Sequence, residues 1–285
     1  MDKLSFVFWG TPDVASETLE TLKQARFLPS LIVTSPDAKK GRGMHMEASP
    51  VAIFAEQNKI PCLKPEKLDE EFCNKLKPSC LKPNCLFIVV AYGKIIPENI
   101  INMPKLGSIN IHYSLLPKYR GASPVESAIL NGDTETGVTI QKMVYKLDAG
   151  NILAQEKVQI SPDETAPELR KKLIKIGGEL LVKTLGTPSF LPLIKGEVPK
   201  VVGIEQDESQ ATFCKKIKKE DGLIDLNADA VTNYNKWRAY VFWPRTFFFV
   251  NGKRIIVTDA KLIDGKFVIK KIIPENGKEM NYKVT

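Results

Sequence analysis

Leu4-Ser5-Phe6-Val7-Phe8-Trp9 runs into Gly10-Thr11-Pro12-Asp13, and the reading of that stretch decides the fold. The apolar run is short, nearly continuous and closed by a turn, which suits a strand buried on both faces of a sheet. A helical pattern follows at once through Val14 to Lys23. Similar apolar stretches recur at Ser30 to Thr34, Cys85 to Val90 and Ser108 to His112, with helix-like patterns between several of them. This βαβα order predicts a doubly wound α/β domain over the first ~190 residues, whose ligands bind beyond the carboxyl ends of the strands. The first turn has no GxGxxG sequence, so no dinucleotide is expected there.

Outward from this core, Leu169, Leu173, Ile176, Leu180 and Leu181 repeat at helical spacing within Thr165 to Leu185, until Gly186-Thr187-Pro188 and Pro192 break the pattern. The expected organisation is therefore a catalytic domain over 1–188, a connecting segment over 189–206 and a smaller domain over 207–285. In the last part a helix is predicted over Ala228 to Arg238. Short strands follow at Thr246 to Val250, Arg254 to Val257, Lys261 to Ile263 and Phe267 to Ile273. Asn251-Gly252 and Asp264-Gly265 mark hairpin turns, since both pairs tolerate positive φ. Strands of this kind suggest a small OB-like β-barrel.

The chain has 285 residues and a formal charge of +8. Its basic excess is denser toward the end, where Asp207 to Thr285 holds 15 Lys and Arg against 10 Asp and Glu. That points to a polyanion such as nucleic acid, or equally to a solvated basic face. The five cysteines are odd in number and have no CxxC or metal-finger spacing, so free thiols and no metal are expected. Met1 to Gly10 lacks the apolar core of a signal peptide, and no run approaches the ~18 apolar residues of a membrane span. A cytoplasmic protein without a membrane partner is expected.

Chemistry concentrates in Ser108-Ile109-Asn110-Ile111-His112-Tyr113-Ser114-Leu115-Leu116-Pro117. Residues two apart on a strand share a face, so Asn110 and His112 point one way and Ile109 and Ile111 the other. An amide donor beside an imidazole can serve a carbonyl that is becoming an oxyanion. The same residues could also be a polar strand end satisfied by its own loop. Asp148, in Asp148-Ala149-Gly150, is a turn former or, folded back beside His112, the group that orients the ring.

The chain resembles the folate-dependent formyltransferases over nearly its whole length. The resemblance rests on Phe8-Trp9-Gly10-Thr11-Pro12, Ala91-Tyr92-Gly93, Asn110-Ile111-His112, Ser114-Leu115-Leu116-Pro117, Arg120-Gly121-Ala122, Pro124, Gly137-Val138-Thr139 and Leu147-Asp148-Ala149-Gly150. It implies a Rossmann-like formyltransferase domain whose catalytic residues are Asn110, His112 and Asp148. The formyl donor, and the reduced folate partner, would be 10-formyltetrahydrofolate. Its contacts would fall on Ser114, Leu115, Leu116 and Pro117, and on a pterin wall of Val89, Val90, Ala91, Tyr92 and Ile95. Tyr113 stands where the family has a small residue.

Within that family the tRNA-acting branch fits best. The acceptor would be the amino group of methionine on an initiator methionyl-tRNA, and the product would serve translation initiation. Lys39, Lys40 and Arg42 lie in a polar, glycine-containing loop over Asp37 to Glu47 that matches an insertion for the acceptor stem. Lys215, Lys216, Lys218 and Lys219 form a second basic cluster, which Lys236, Arg238, Arg245, Lys253 and Arg254 extend. Trp237, Tyr240, Phe242, Trp243 and Phe247 to Phe249 are expected to fill the core. Relatives acting on glycinamide ribonucleotide have a single domain and would leave the basic C-terminal part unexplained. Amino-sugar transferases and a formyltetrahydrofolate hydrolase share more of the layout.

Overall fold

The computed structural model describes residues 4–40, 44–80, 82–186 and 203–282. Residues 189–202 of the expected connecting segment, and Arg42, lie outside the described residues. Two compact units form. The first comprises Met1–Pro117, Val138–Glu156 and Ile174–Ala211; the second comprises Lys118–Gly137, Lys157–Leu173 and Thr212–Thr285.

The opening stretch is strand β1 (Ser5–Gly10), followed by helix α1 (Asp13–Gln24) and β2 (Leu31–Val33). The polar loop expected next contains a short antiparallel hairpin, β3 (Ala38–Lys40) with β4 (His45–Glu47). Helix α2 (Pro50–Gln57) starts on Ser49, whose Oγ accepts from Ala52 N at 3.0 Å, with Pro50 at the position where a missing N–H costs nothing. Then come β5 (Cys62–Leu63), α3 (Glu70–Cys80), β6 (Cys85–Val90), the one-turn α4 (Glu98–Ile101) and β7 (Ser108–His112). Further along lie β8 (Arg120–Gly121), α5 (Pro124–Leu130), β9 (Glu135–Lys142), β10 (Ile152–Gln159) and α6 (Ala166–Leu185).

One seven-stranded sheet has the order β10-β9-β7-β6-β1-β2-β5. β7, β6, β1, β2 and β5 are mutually parallel, and β9 runs antiparallel to β7. β1 and β6 are buried along their whole length, which is why neither shows polar alternation. Alternate residues Val7, Trp9, Phe87 and Val89 enter a core with Phe72 and Leu76 of α3. There the Trp9 ring meets Phe72, Phe87 and Tyr92 at 5.8, 5.4 and 5.3 Å. Gly177 of α6 lies so close to the sheet that a Cβ would sit 3.3 Å from Tyr113 and Val138. The extra bulk of Tyr113 is thus accommodated by a helix with no side chain opposite it.

In the second unit, β11 (Phe213–Cys214) pairs in parallel with β8, and α7 (Ala230–Tyr240) packs on α5. Where a small OB-like β-barrel is expected there is an antiparallel β domain, a sheet of β12 (Phe247–Val250), β13 (Lys253–Ile263), β14 (Lys266–Pro274) and β15 (Met280–Asn281), in that order. The two strands expected over Arg254 to Ile263 are one strand, interrupted in register around Asp259 by a bulge. Both expected turns form, with φ of 48° and 78° at Asn251 and Gly252, and 48° and 72° at Asp264 and Gly265. Ile224, Phe248, Ile255, Val257, Ala260, Ile269 and Ile272 make this unit's core, with Trp237 against it. Not all the aromatics go inside, however. Phe242 is 78% exposed, and Trp243 and Phe249 are also exposed, because they sit past the end of α7 and on the outward face of β12.

Candidate active site

The carboxyl end of β7 carries Asn110 and His112 on one face, as their spacing requires. The antiparallel register places Gln141 of β9 directly opposite Asn110, and Thr139 opposite His112. These four side chains therefore share one face of the first unit's sheet. His112 is buried, 5% exposed, and Asn110 half-buried.

Asp148 reaches this face from the turn after β9. Its Oδ2 stands 3.7 Å from His112 Nδ1. Its Oδ1 accepts from Gln141 Nε2 at 2.8 Å. The turn is fixed in two further ways. Asp148 has φ of 46°, and Gly150 lies where a Cβ would come within 1.6 Å of the Lys142 carbonyl oxygen, so only glycine fits. Gln206 Nε2 donates to Asp148 O at 2.8 Å and to Gly150 O at 2.7 Å, pinning the backbone on either side of Ala149.

Beyond His112 the chain Ser114-Leu115-Leu116-Pro117 is held from beneath by Thr139. The Thr139 hydroxyl donates to Ser114 O at 2.6 Å and accepts from Leu116 N at 3.2 Å and Gln155 Nε2 at 2.9 Å. Gln155 Nε2 also donates to Leu116 O at 2.8 Å. Ser114 and Leu116 are buried, Leu115 and Pro117 half-buried, and the Leu116–Pro117 peptide is cis.

The expected pterin wall follows β6. Val89 and Val90 are buried in the strand, and Ala91, with φ of 46°, turns the chain out of it. Tyr92 folds its ring into the core edge-on to Trp9, where burial pushes its phenol up to about 12. What Tyr92 presents outward is backbone, and its carbonyl accepts from Thr11 Oγ1 at 3.1 Å. Ile95 is 86% exposed. Apolar side chains and backbone groups at one strand end are the composition that a flat heterocycle requires, so the residues present fit a folate.

Of the basic residues, Lys39 is exposed on β3, Lys40 follows it in the strand opposite His45, and Lys215, Lys216, Lys218 and Lys219 are all at least partly exposed. Three of the residues expected to extend this second cluster are committed elsewhere. Arg238 is buried, donating to Glu164 O at 3.0 Å and Asn235 Oδ1 at 2.6 Å. Lys236 donates to Leu223 O, and the Arg254 guanidinium lies 3.9 Å over the Phe247 ring. Sequence reading passes over Gln141, Gln155 and Gln206. Their involvement depends on strand register and on a contact 58 residues away along the chain, neither of which leaves a local pattern.

Among the described residues no helix is long and apolar enough to cross a membrane. Residues 3–185 match the family of formyl transferases, and residues 216–279 match the formyl transferase C-terminal domain. A methionyl-tRNA formyltransferase of Sulfurihydrogenibium sp. is 38% identical over 92% of this chain and 81% of its own length. That of Thermotoga neapolitana is 41% identical over 90% and 79%. Among solved structures, an N-formyltransferase from Helicobacter canadensis in complex with folinic acid and dTDP-3-aminofucose shares the fold. Its TM-score is 0.64 with 96% of each chain covered, at 18% sequence identity. Relatives near 40% identity along nine-tenths of the chain, together with both domain matches, establish that this chain belongs to the formyltransferase family.

Proposed function

We propose that this chain transfers the formyl group of 10-formyltetrahydrofolate to the α-amino group of methionine on an initiator tRNA, in the cytoplasm. The observation that carries this reading is the 38–41% identity to methionyl-tRNA formyltransferases along nine-tenths of the chain. The Helicobacter canadensis neighbour in complex with dTDP-3-aminofucose shares the fold at 18% identity.

Asn110 donates its amide N–H to the carbonyl oxygen that gains charge when the amine attacks, a contribution for which one lost donor typically costs about 10² to 10³ in rate. His112 turns Nδ1 toward Asp148, which leaves Nε2 to handle the proton leaving the amine, worth about 10² to 10⁴. Asp148 fixes the tautomer and favours the imidazolium that forms. The folate is held by Ser114 to Pro117 and by the end of β6 around Val89, Val90, Ala91, Tyr92 and Ile95. Lys39, Lys40 and Arg42, with Lys215, Lys216, Lys218 and Lys219, neutralise tRNA phosphates, interactions that position the nucleic acid without reading its bases. The domains are taken as 1–188, 189–206 and 207–285.

The test is formyl transfer from labelled 10-formyltetrahydrofolate to methionine-charged initiator tRNA, beside charged elongator tRNA, a dTDP-amino sugar and an Asn110→Ala variant. Transfer to the initiator alone, lost in the variant, is the expected result. Transfer to the sugar, or folate hydrolysis alone, would overturn the assignment.

A further inference from the structure

Outside Asn110, His112 and Asp148, one polar side chain on the same face is both buried and only half used. Gln141 is 2% exposed, and its amide orientation is fixed by chemistry, because a carboxylate can only accept and Asp148 Oδ1 lies 2.8 Å from Nε2. Its other end, Oε1, is shielded from solvent and has no hydrogen-bond partner among the described residues. An orphaned buried carbonyl costs stability, so a leucine or methionine here would suit packing better. The residue instead sits directly across the strand pair from Asn110 and ties down the carboxylate that faces His112.

We infer that Gln141 is a positioning residue for formyl transfer, holding the Asp148 carboxylate so that its second oxygen addresses His112. This rests on the functional reading above. The bond from Gln141 Nε2 to Oδ1, at 2.8 Å, restrains the carboxylate about its side-chain torsions while Oδ2 stands 3.7 Å from His112 Nδ1. Gln206 performs the complementary task on the backbone of the same turn. Side chain and main chain of Asp148 are thus restrained by separate amides that do not themselves react.

The experiment is a double-mutant cycle on formyl transfer to charged initiator tRNA, with Gln141→Met, Asp148→Asn and the pair, and thermal unfolding of each protein measured alongside. Gln141→Met should lower kcat roughly tenfold or more, the scale of one lost hydrogen bond to a charged group, while KM for the folate stays within about twofold. In the Asp148→Asn background it should cost nothing further. Gln141→His, which retains an N–H donor, should recover part of the rate lost in Gln141→Met. Wild-type kcat in Gln141→Met, or a loss that simply adds to that of Asp148→Asn, would overturn the inference with the role of Asp148 intact. If Asp148→Asn itself runs at the wild-type rate, the catalytic assignment and this inference fall together.

Discussion

His112 Nδ1 and Asp148 Oδ2 face each other at 3.7 Å with both side chains largely withdrawn from solvent. On the function proposed above, Asp148 orients the ring and stabilises charge that develops on it in the transition state. Asp148→Asn should therefore lower kcat by about 10² or more and leave KM for the folate nearly unchanged, a split that steady-state kinetics with saturating tRNA would resolve.

Thr139 joins Ser114, Leu116 and Gln155 through one hydroxyl. Thr139→Val keeps the shape and removes every one of those bonds. The expected cost is about 1 to 3 kcal/mol in urea unfolding. KM for the folate should rise more than kcat falls, since the segment that loses its support is the one assigned to folate.

Gly150 tolerates no side chain, because a Cβ would come within 1.6 Å of Lys142 O. Gly150→Ala should destabilise the protein by about 3 kcal/mol or more and abolish transfer, whereas Ala149→Ser in the same turn should do neither. Circular dichroism melts with parallel assays would separate the two.

Basic residues divide by burial. Replacing Lys215, Lys216, Lys218 and Lys219 together by alanine should leave unfolding within about 0.5 kcal/mol of wild type. It should also weaken tRNA binding across salt concentrations and flatten its salt dependence by about one unit of slope for each phosphate no longer neutralised. Arg238→Leu should do the reverse. It strips partners from Glu164 O and Asn235 Oδ1, costs about 2 to 4 kcal/mol, and leaves the salt slope as it was.

Asp229 caps α7 by accepting from Thr232 N at 2.8 Å and Thr232 Oγ1 at 3.0 Å, and those bonds hold its carboxyl below the usual carboxylate range. A depressed folded-state value means that the stabilisation is complete above the unfolded value, about 3.9, and is lost as pH falls through the folded one. Asp229→Ala should accordingly lower the melting temperature at pH 7 more than at pH 3.

How far the sequence can be read depends on whether a feature is local. β1, β6 and β7 fall within a residue or so of their expected bounds because each is a compact apolar run between turns. The two hairpin turns after β12 and β13 are legible because Asn-Gly and Asp-Gly act through their own φ values. The support beneath the site is not. Gln141 is polar in a mostly buried strand, and only the offset between β7 and β9 reveals what it faces. Arg238 reads as surface charge because nothing nearby in sequence announces that Glu164 lies above it. The hairpin β3–β4 reads as an open loop, since its strands are three residues each and largely polar.

The pairing of β8 with β11 places Arg120-Gly121 alongside Phe213-Cys214, so close that a Cβ on Gly121 would meet Cys214 O at 2.3 Å. The second unit is consequently assembled from pieces far apart along the chain. On the ribosome, residues around Gly121 must wait for roughly ninety more to emerge before they find their neighbours, so this unit cannot close before Cys214 has emerged. For the same reason a fragment starting near Lys215 is not a portable module. It would leave α7 without α5 to pack against, and a C-terminal truncation would uncover α5 in turn.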